Sequence, residues 1–307
     1  MSGLERSLDL IDAIIYADLF DCAVTPEELW RFSRVRCALD EITTKLSGPQ
    51  WQRIVVLRNG YYCLHGREEL AERRPGRQAR ARHLFGRAKR VVSWLQYTPF
   101  VRGALLTGSV AADDAEPDAD IDLLLIIAQK RIALVFLLMG SISRVTSRKI
   151  FCPNYYLSAD HLQIDRHSHY VAREIAQSMS LAHVGSRLID ANPWVRETLP
   201  NTTTRTSPLG SLPGLGLLQK LIEAPLLGRL GDRLEARARA IALKRLEHHH
   251  GLAGRPVPEK VAAKLRDGIE LRFHESQRLD EVNQRYATLR REIGRKLEAG
   301  GVSIGDG

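Results

Sequence analysis

The chain has 307 residues, long enough for about two domains, with 45 Lys and Arg against 36 Asp and Glu and a net charge of +9. A hydrophobic content of 44% and a charged content of 26% exclude a disordered or fibrous chain, and the basic balance favours polyanionic partners such as nucleotides or nucleic acid. Cys22, Cys37, Cys63 and Cys152 form no C-x-x-C pair, which argues against a zinc site or a disulfide framework and for a reduced, cytoplasmic setting.

Residues 4–20 place Leu8, Ile11, Ile14, Ile15 and Leu19 on one helical face, and Asp9, Asp12 and Asp18 interrupt them too often for a signal peptide. Thr25-Pro26-Glu27-Glu28 is a helix start, with a Thr cap, Pro in the first turn and Glu at the third helical position. A third helix is expected from about 37 to 46. Residues 54–57 and 61–64, joined at Asn59-Gly60, read as a hairpin. Three helices followed by a hairpin look like a winged helix over 1–66. Its third helix mixes Arg34, Arg36 and Lys45 with Asp40 and Glu41, so it is not a cleanly basic DNA-reading surface. Nucleic acid is still kept as a partner, through this domain or through the basic stretch that follows.

Residues 67–90 hold nine Lys and Arg against three Glu. Arg77, Arg80, Arg82, Arg87, Lys89 and Arg90 wrap the helix rather than line one face, the mark of a solvated linker helix over 67–98, ended by Thr98-Pro99. An apolar strand, 101–106, then runs into Gly108-Ser109. After ten residues comes Asp120-Ile121-Asp122, at the mouth of a second apolar strand through Ile127. Residues two apart in a strand share a face, so Asp120 and Asp122 project together with Ile121 behind them. Such paired carboxylates repel unless a cation lies between them, and hard oxygen ligands suit Mg²⁺. Gly-Ser offers a bare backbone N–H and a hydroxyl to a phosphate.

A packed helix is expected over 131–145; its most apolar part, 132–139, is too short to span a bilayer, so no membrane partner is expected. A strand is expected over 149–157, a short extra strand at 162–164, a helix over 170–180 with Met179 inward, and another from Pro193. Residues 201–217 read as an exposed, mobile linker. Two long helical stretches, 217–249 and 257–298, complete the chain. His248-His249-His250 cannot all face one metal from a helix and fit a helix end, and His274 sits within the second stretch.

The pattern Thr107-Gly108-Ser109, a spacer of ten, then Asp120-Ile121-Asp122-Leu123 resembles the signature of the DNA polymerase β-type nucleotidyltransferase superfamily. The resemblance is best over 101–158. It implies an α+β fold: a mixed-sheet nucleotidyltransferase domain over 99–200 after the winged-helix-like domain, then a linker at 201–216 and a helical region at 217–298. It also implies Mg²⁺-dependent transfer of a nucleoside monophosphate from an NTP, with ATP the first choice, to an acceptor that is a small molecule, a protein or an RNA end. In these terms Asp120 and Asp122 are the metal ligands, in a one- or two-metal site. Gly108 and Ser109 bind the β- and γ-phosphates, and Lys130, Arg131 and Lys149 are the nearest cations, with Lys130 the one expected to bind nucleotide. The family's third carboxylate belongs on the strand holding Asn154, which is not an acid. That position is open among Asn154, Asp160 and Asp165, with Asp165 carried as the third catalytic residue. The alternatives to transfer are a degenerate nucleotidyltransferase that binds Mg-NTP or a partner, and a winged-helix DNA-binding regulator.

Overall fold

The computed structural model describes residues 2–145, 152–182, 185–207, 209, 214–252, 256–272 and 276–300. The N-terminal part is helical: α1 (Gly3–Leu10), α2 (Asp12–Asp18), α3 (Pro26–Phe32) and α4 (Leu39–Leu46) precede the hairpin β1 (Val55–Arg58) and β2 (Tyr61–Leu64). The helix expected over 4–20 is broken at Ile11 into α1 and α2. The start of α3 forms as expected: Thr25 Oγ1 accepts from Glu28 N at 3.1 Å, and the Glu28 carboxylate accepts from Thr25 N at 2.9 Å. The hairpin turns through Asn59 and Gly60 at φ 52° and 82°, the positive pair a type I′ turn needs.

Helix α5 (Glu69–Leu95) leads to a six-stranded mixed sheet built from β3 (Val101–Leu106), β4 (Asp122–Ile127), β5 (Cys152–Ser158), β6 (Met179–Ala182), β7 (Arg205–Thr206) and β8 (Glu270–Arg272), in the order β7-β6-β3-β4-β5-β8. Strand β4 lies inside the sheet, antiparallel to β3 and parallel to β5. Covered on both faces, it is continuously apolar rather than alternating. Its residues still divide by face. Leu124 and Ile126 belong to the same apolar cluster as Ile14 and Ile15 of α2 and Val171 and Ile175 of the helix α8 introduced below, while Leu123, Leu125 and Ile127 face the other way, into the cluster that holds Val92 of α5.

The remaining helices are α6 (Gly108–Ala111), α7 (Ile132–Val145), α8 (His169–Gln177), α9 (Gly185–Asp190), α10 (Trp194–Thr198), α11 (Leu215–Glu223), α12 (Arg229–Leu252), α13 (Glu259–Arg266) and α14 (Ser276–Ala299). Helices α7, α12 and α13 join α5 on one face. The buried Glu235 of α12 accepts from Ala133 N and Leu134 N, both at 2.9 Å, so one helix caps the start of another. The opposite face is covered by α1 to α4, α8 and α14 through one continuous apolar cluster. Within it Asp12 is fully buried. It accepts from Arg290 Nη1 at 2.9 Å and from the Tyr286 hydroxyl, and His169 Nε2 lies 2.9 Å away, off the angle of a good hydrogen bond. Arg290 also reaches Asp9 at 2.7 Å and Glu5 at 2.8 Å. No helix among the described residues is long and apolar enough to cross a membrane.

Four expectations are corrected. The helix over 170–180 stops at Gln177, and Met179 starts β6, because pairing with β3 satisfies more backbone there than another helical turn. The stretch 162–164 has no regular structure, although Leu162 and Ile164 are buried. The linker 201–217 is partly built in. Asn201 Nδ2 donates to Trp30 O at 2.9 Å and Val35 O at 2.8 Å, and 205–206 pair with β6. The helix over 257–298 is interrupted by β8, which adds an antiparallel edge strand beside β5. His248-His249-His250 fall near the C-terminal end of α12, as expected, Arg272 ends β8 rather than sitting in a helix, and His274 lies outside the described residues.

Candidate active site

Asp122 opens β4, and its carbonyl accepts from Thr107 N at 3.0 Å, which fixes the Gly-Ser turn beside it. Gly108 follows at φ +65°, and a Cβ there would lie 2.2 Å from Asp122 Oδ2. Both the backbone angle and the space therefore demand glycine. Gly108→Ala is expected to cost roughly 2–4 kcal/mol of stability by adding left-handed strain and a clash with the carboxylate. A denaturant melt reads this directly, and a midpoint equal to wild type would show that the loop is not pinned to Asp122.

Register explains the next neighbour. Leu123 pairs with Pro153 but Leu124 pairs with Tyr155, so Asn154 is an extra residue in β5. Such a bulge re-aims a side chain, and here Asn154 Nδ2 donates to Asp122 Oδ1 at 2.7 Å. Ile121 is buried on the far side, while Asp120 is exposed at the mouth, the alternation expected of Asp-x-Asp.

The ten-residue spacer is held by α5. Arg74, 1% exposed, binds Glu28 at 2.6 Å, Asp114 at 3.2 Å and Ala112 O at 3.3 Å. Arg77 binds Asp114 at 3.0 Å and also pairs with Glu116, and Arg80 Nε donates to Ala115 O at 3.1 Å. The solvated reading of this basic helix is thus corrected: about two turns of it, from Arg74 to Arg80, are an internal clamp on the loop that connects Gly108-Ser109 to Asp120. Burial raises Asp113 above the usual carboxylate range, with Arg74, Arg82 and Arg205 opposing.

These groups line a cavity of about 850 Å³ between the sheet, the N-terminal helices and α8, at the upper end of ligand-pocket volumes. Thr107, Gly108, Ser109, Asp120, Asp122 and Asn154 contribute to its wall. Asp165, Asp160 and Lys130 do not. Asp160 accepts from Ser158 Oγ beyond the far end of β5. Asp165 lies 3.2 Å from Lys264, whose hydrogen bond holds that carboxyl below its usual range. Lys130 is exposed past the far end of β4, roughly 17 Å along the strand from Asp122. Arg131 is buried and bound to Asp232 at 3.0 Å and Leu226 O at 2.8 Å, a structural tie to α12. Lys149 lies outside the described residues. No group of three or more His, Cys, Asp or Glu placed to hold a metal occurs among the described residues.

Sequence reasoning missed the arginines of the cavity other than Arg77: Arg31, Arg74, Arg173, Arg205 and Arg272. They come from α3, α5, α8, β7 and β8, and no spacing links them. Searches against protein-family models, curated proteins and solved structures found no match.

Proposed function

We propose that the protein is a nucleotidyltransferase that binds an NTP with Mg²⁺ in this cavity and passes the nucleoside monophosphate to an acceptor. The observation that carries the reading is that Gly108-Ser109 and Asp120-x-Asp122, separated by ten residues, line one cavity with the Gly108 backbone against the Asp122 carboxylate. Two carboxylates and incoming phosphate oxygens fit one Mg²⁺, and Asp120 is exposed to receive it. Bound there, Mg²⁺ supplies neutralisation of the charge that develops on the leaving pyrophosphate. Gly108 N–H and Ser109 Oγ hold the phosphates. The acceptor oxygen attacks the α-phosphorus, its bond to the bridging oxygen breaks, and pyrophosphate leaves. The amide of Asn154 is not a base at neutral pH, so the attacking hydroxyl loses its proton to solvent, to a group of the acceptor or to a carboxylate of the cavity wall, not to Asn154. In the same reading the helices and hairpin of the N-terminal part form a winged-helix-like domain, and ATP is the nucleotide to try first.

One observation favours a second reading, binding of Mg-NTP without transfer. Asn154 occupies Asp122 Oδ1 where a third acid would complete a two-metal site, and neither Asp160 nor Asp165 lines the cavity. A DNA-reading role has less support, because Arg34 is turned to within 3.6 Å of Asp9. The test is a melt with Mg-ATP against ATP plus chelator, followed by pyrophosphate release with hydroxyl acceptors. A Mg²⁺-dependent rise with pyrophosphate release supports transfer, and a rise without release supports binding alone. No rise, in a protein that behaves like Asp120→Ala/Asp122→Ala, defeats both.

A further inference from the structure

The cavity has a second, basic end. Arg31 of α3, Arg173 of α8 and Arg205 of β7 all line it, around the C-terminal turn of α8. Arg31 Nη2 donates to Ala176 O and Thr203 O, both at 2.7 Å, and Arg205 Nη1 donates to Ala111 O at 2.5 Å and Gln177 O at 3.2 Å. Arg173 is 6% exposed, with its guanidinium 3.5 Å from the Phe32 ring centroid and 5.1 Å from that of Tyr16. Its Nε and Nη1, and Nε of Arg31, are buried without a hydrogen-bond partner. None of the three arginines forms an ion pair with a carboxylate among the described residues. The acids whose charge reaches them are Glu28, Asp113 and, for Arg173, Asp12; Glu28 is already bound by Arg74 and Thr25 N, Asp12 by Arg290 and Tyr286, and Asp113 is left facing Arg205 without an ion pair among the described residues.

Gathering one buried and two half-buried guanidinium groups with no ion pair to a carboxylate is costly, and an anion offsets that cost. Burial, and then the charges of Arg205 and Arg173, push Arg31 down to about 9, and burial lowers both Arg173 and Arg205. The planar forks suit the oxygens of a phosphate better than a diffuse charge would. The backbone of Arg205 is set apart from that of β4, although its guanidinium reaches back to the end of α6, the helix that starts at Gly108-Ser109. Arg205 lies opposite Met179, Met179 opposite Leu106 and Leu106 opposite Leu123, three interstrand steps or roughly 14 Å across the sheet.

We propose that Arg31, Arg173 and Arg205 form a second anion site that binds a phosphate-bearing group, in the same cavity as Asp120 and Asp122 and bordering the C-terminal end of α6. The site does not depend on the metal end or on transfer. Calorimetric titration of the full chain with inorganic tripolyphosphate in the presence of EDTA tests it. Wild type and Asp122→Ala are expected to bind alike, and Arg173→Met and Arg205→Gln to bind about tenfold or more weakly. Arg173→Met keeps the stack on Phe32 while removing an unpaired buried charge, so its ligand-free melting temperature is expected to equal or exceed that of wild type. Absence of binding by wild type, equal binding by the arginine variants, a loss in Asp122→Ala as large as theirs, or a marked fall in the melting temperature of Arg173→Met would each overturn the proposal. The source of the phosphate is read from Mg-ATP titrations. An affinity lowered in Arg173→Met supports the site as a holder of the nucleotide's own phosphate tail, and an unchanged affinity supports it as the seat of a phosphorylated second ligand.

Discussion

Asp12→Ala is expected to lower the unfolding free energy by about 3 kcal/mol, the lower part of the range for breaking a buried ion pair. The carboxylate is fully buried and serves three groups, Arg290, Tyr286 and His169, from α14 and α8. Removing it strands the Tyr286 hydroxyl and the imidazole, while Arg290 keeps Asp9 and Glu5. Chemical denaturation of Asp12→Ala and Arg290→Met checks the figure, and a loss under 1 kcal/mol in Asp12→Ala would show that the cluster is not a single network. The same carboxylate sets an acid limb. Burial alone raises Asp12, but His169, Tyr286 and Arg290 together outweigh it and hold the group below its usual range. Below about pH 4 the unfolded chain therefore takes up a proton that the folded chain refuses, and this part of the stability is lost as pH falls. Asp12→Asn should flatten the wild-type decline between about pH 4 and pH 2; an unchanged slope would place the titration elsewhere.

Asn154→Asp is expected to make the protein's stability depend on Mg²⁺. In wild type the Asn154 amide donates to Asp122 Oδ1 at 2.7 Å. A carboxylate at that bulge would face Asp122 with like charge and no shared proton at neutral pH, a loss of about 1–3 kcal/mol in chelator. Mg²⁺ would then bridge Asp122, Asp120 and the new acid, and at a hundred times its dissociation constant it would return about 2.7 kcal/mol. Melts of wild type and variant in EDTA and in Mg²⁺ measure the crossover. If Mg²⁺ leaves the variant where EDTA does, Asp120 and Asp122 do not form a metal site in this protein. If the variant gains pyrophosphate release that wild type lacks, the wild-type protein is a binder whose chemistry stops at Asn154.

The parts of the fold that are written locally could be read from the sequence. The Thr25–Glu28 box, the Asn59-Gly60 turn, and the apolar strands around Gly108-Ser109 and Asp120-x-Asp122 each depend on neighbours a few residues away. The departures have a common physical source: side chains and strands that find distant partners. Met179 has helical spacing from Ile175 but pairs with Leu106 across the sheet. Arg74 and Arg77 belong to a helix whose composition reads as solvated, yet their partners, Glu28, Asp114 and Glu116, lie between 37 and 46 residues away along the chain. The candidate site divides in the same way. Gly108, Ser109, Asp120 and Asp122 could be found because one turn and one strand mouth hold them. The place of Asn154 depends on a bulge, and the basic end depends on α3, α8 and β7 meeting, so neither carries a local signal.

The clasp between Asp12 and Arg290 joins residues 278 positions apart. Closing so long a loop carries a large entropic cost, which the sheet offsets by holding α2 and α14 on the same face. During synthesis Asp12 therefore emerges 278 residues before its cation. The last helix acts as a latch on the first ones: Arg290 and Tyr286 of α14 hold Glu5 and Asp9 of α1 and Asp12 of α2, and so tie the helix that carries Tyr16 into the cavity wall.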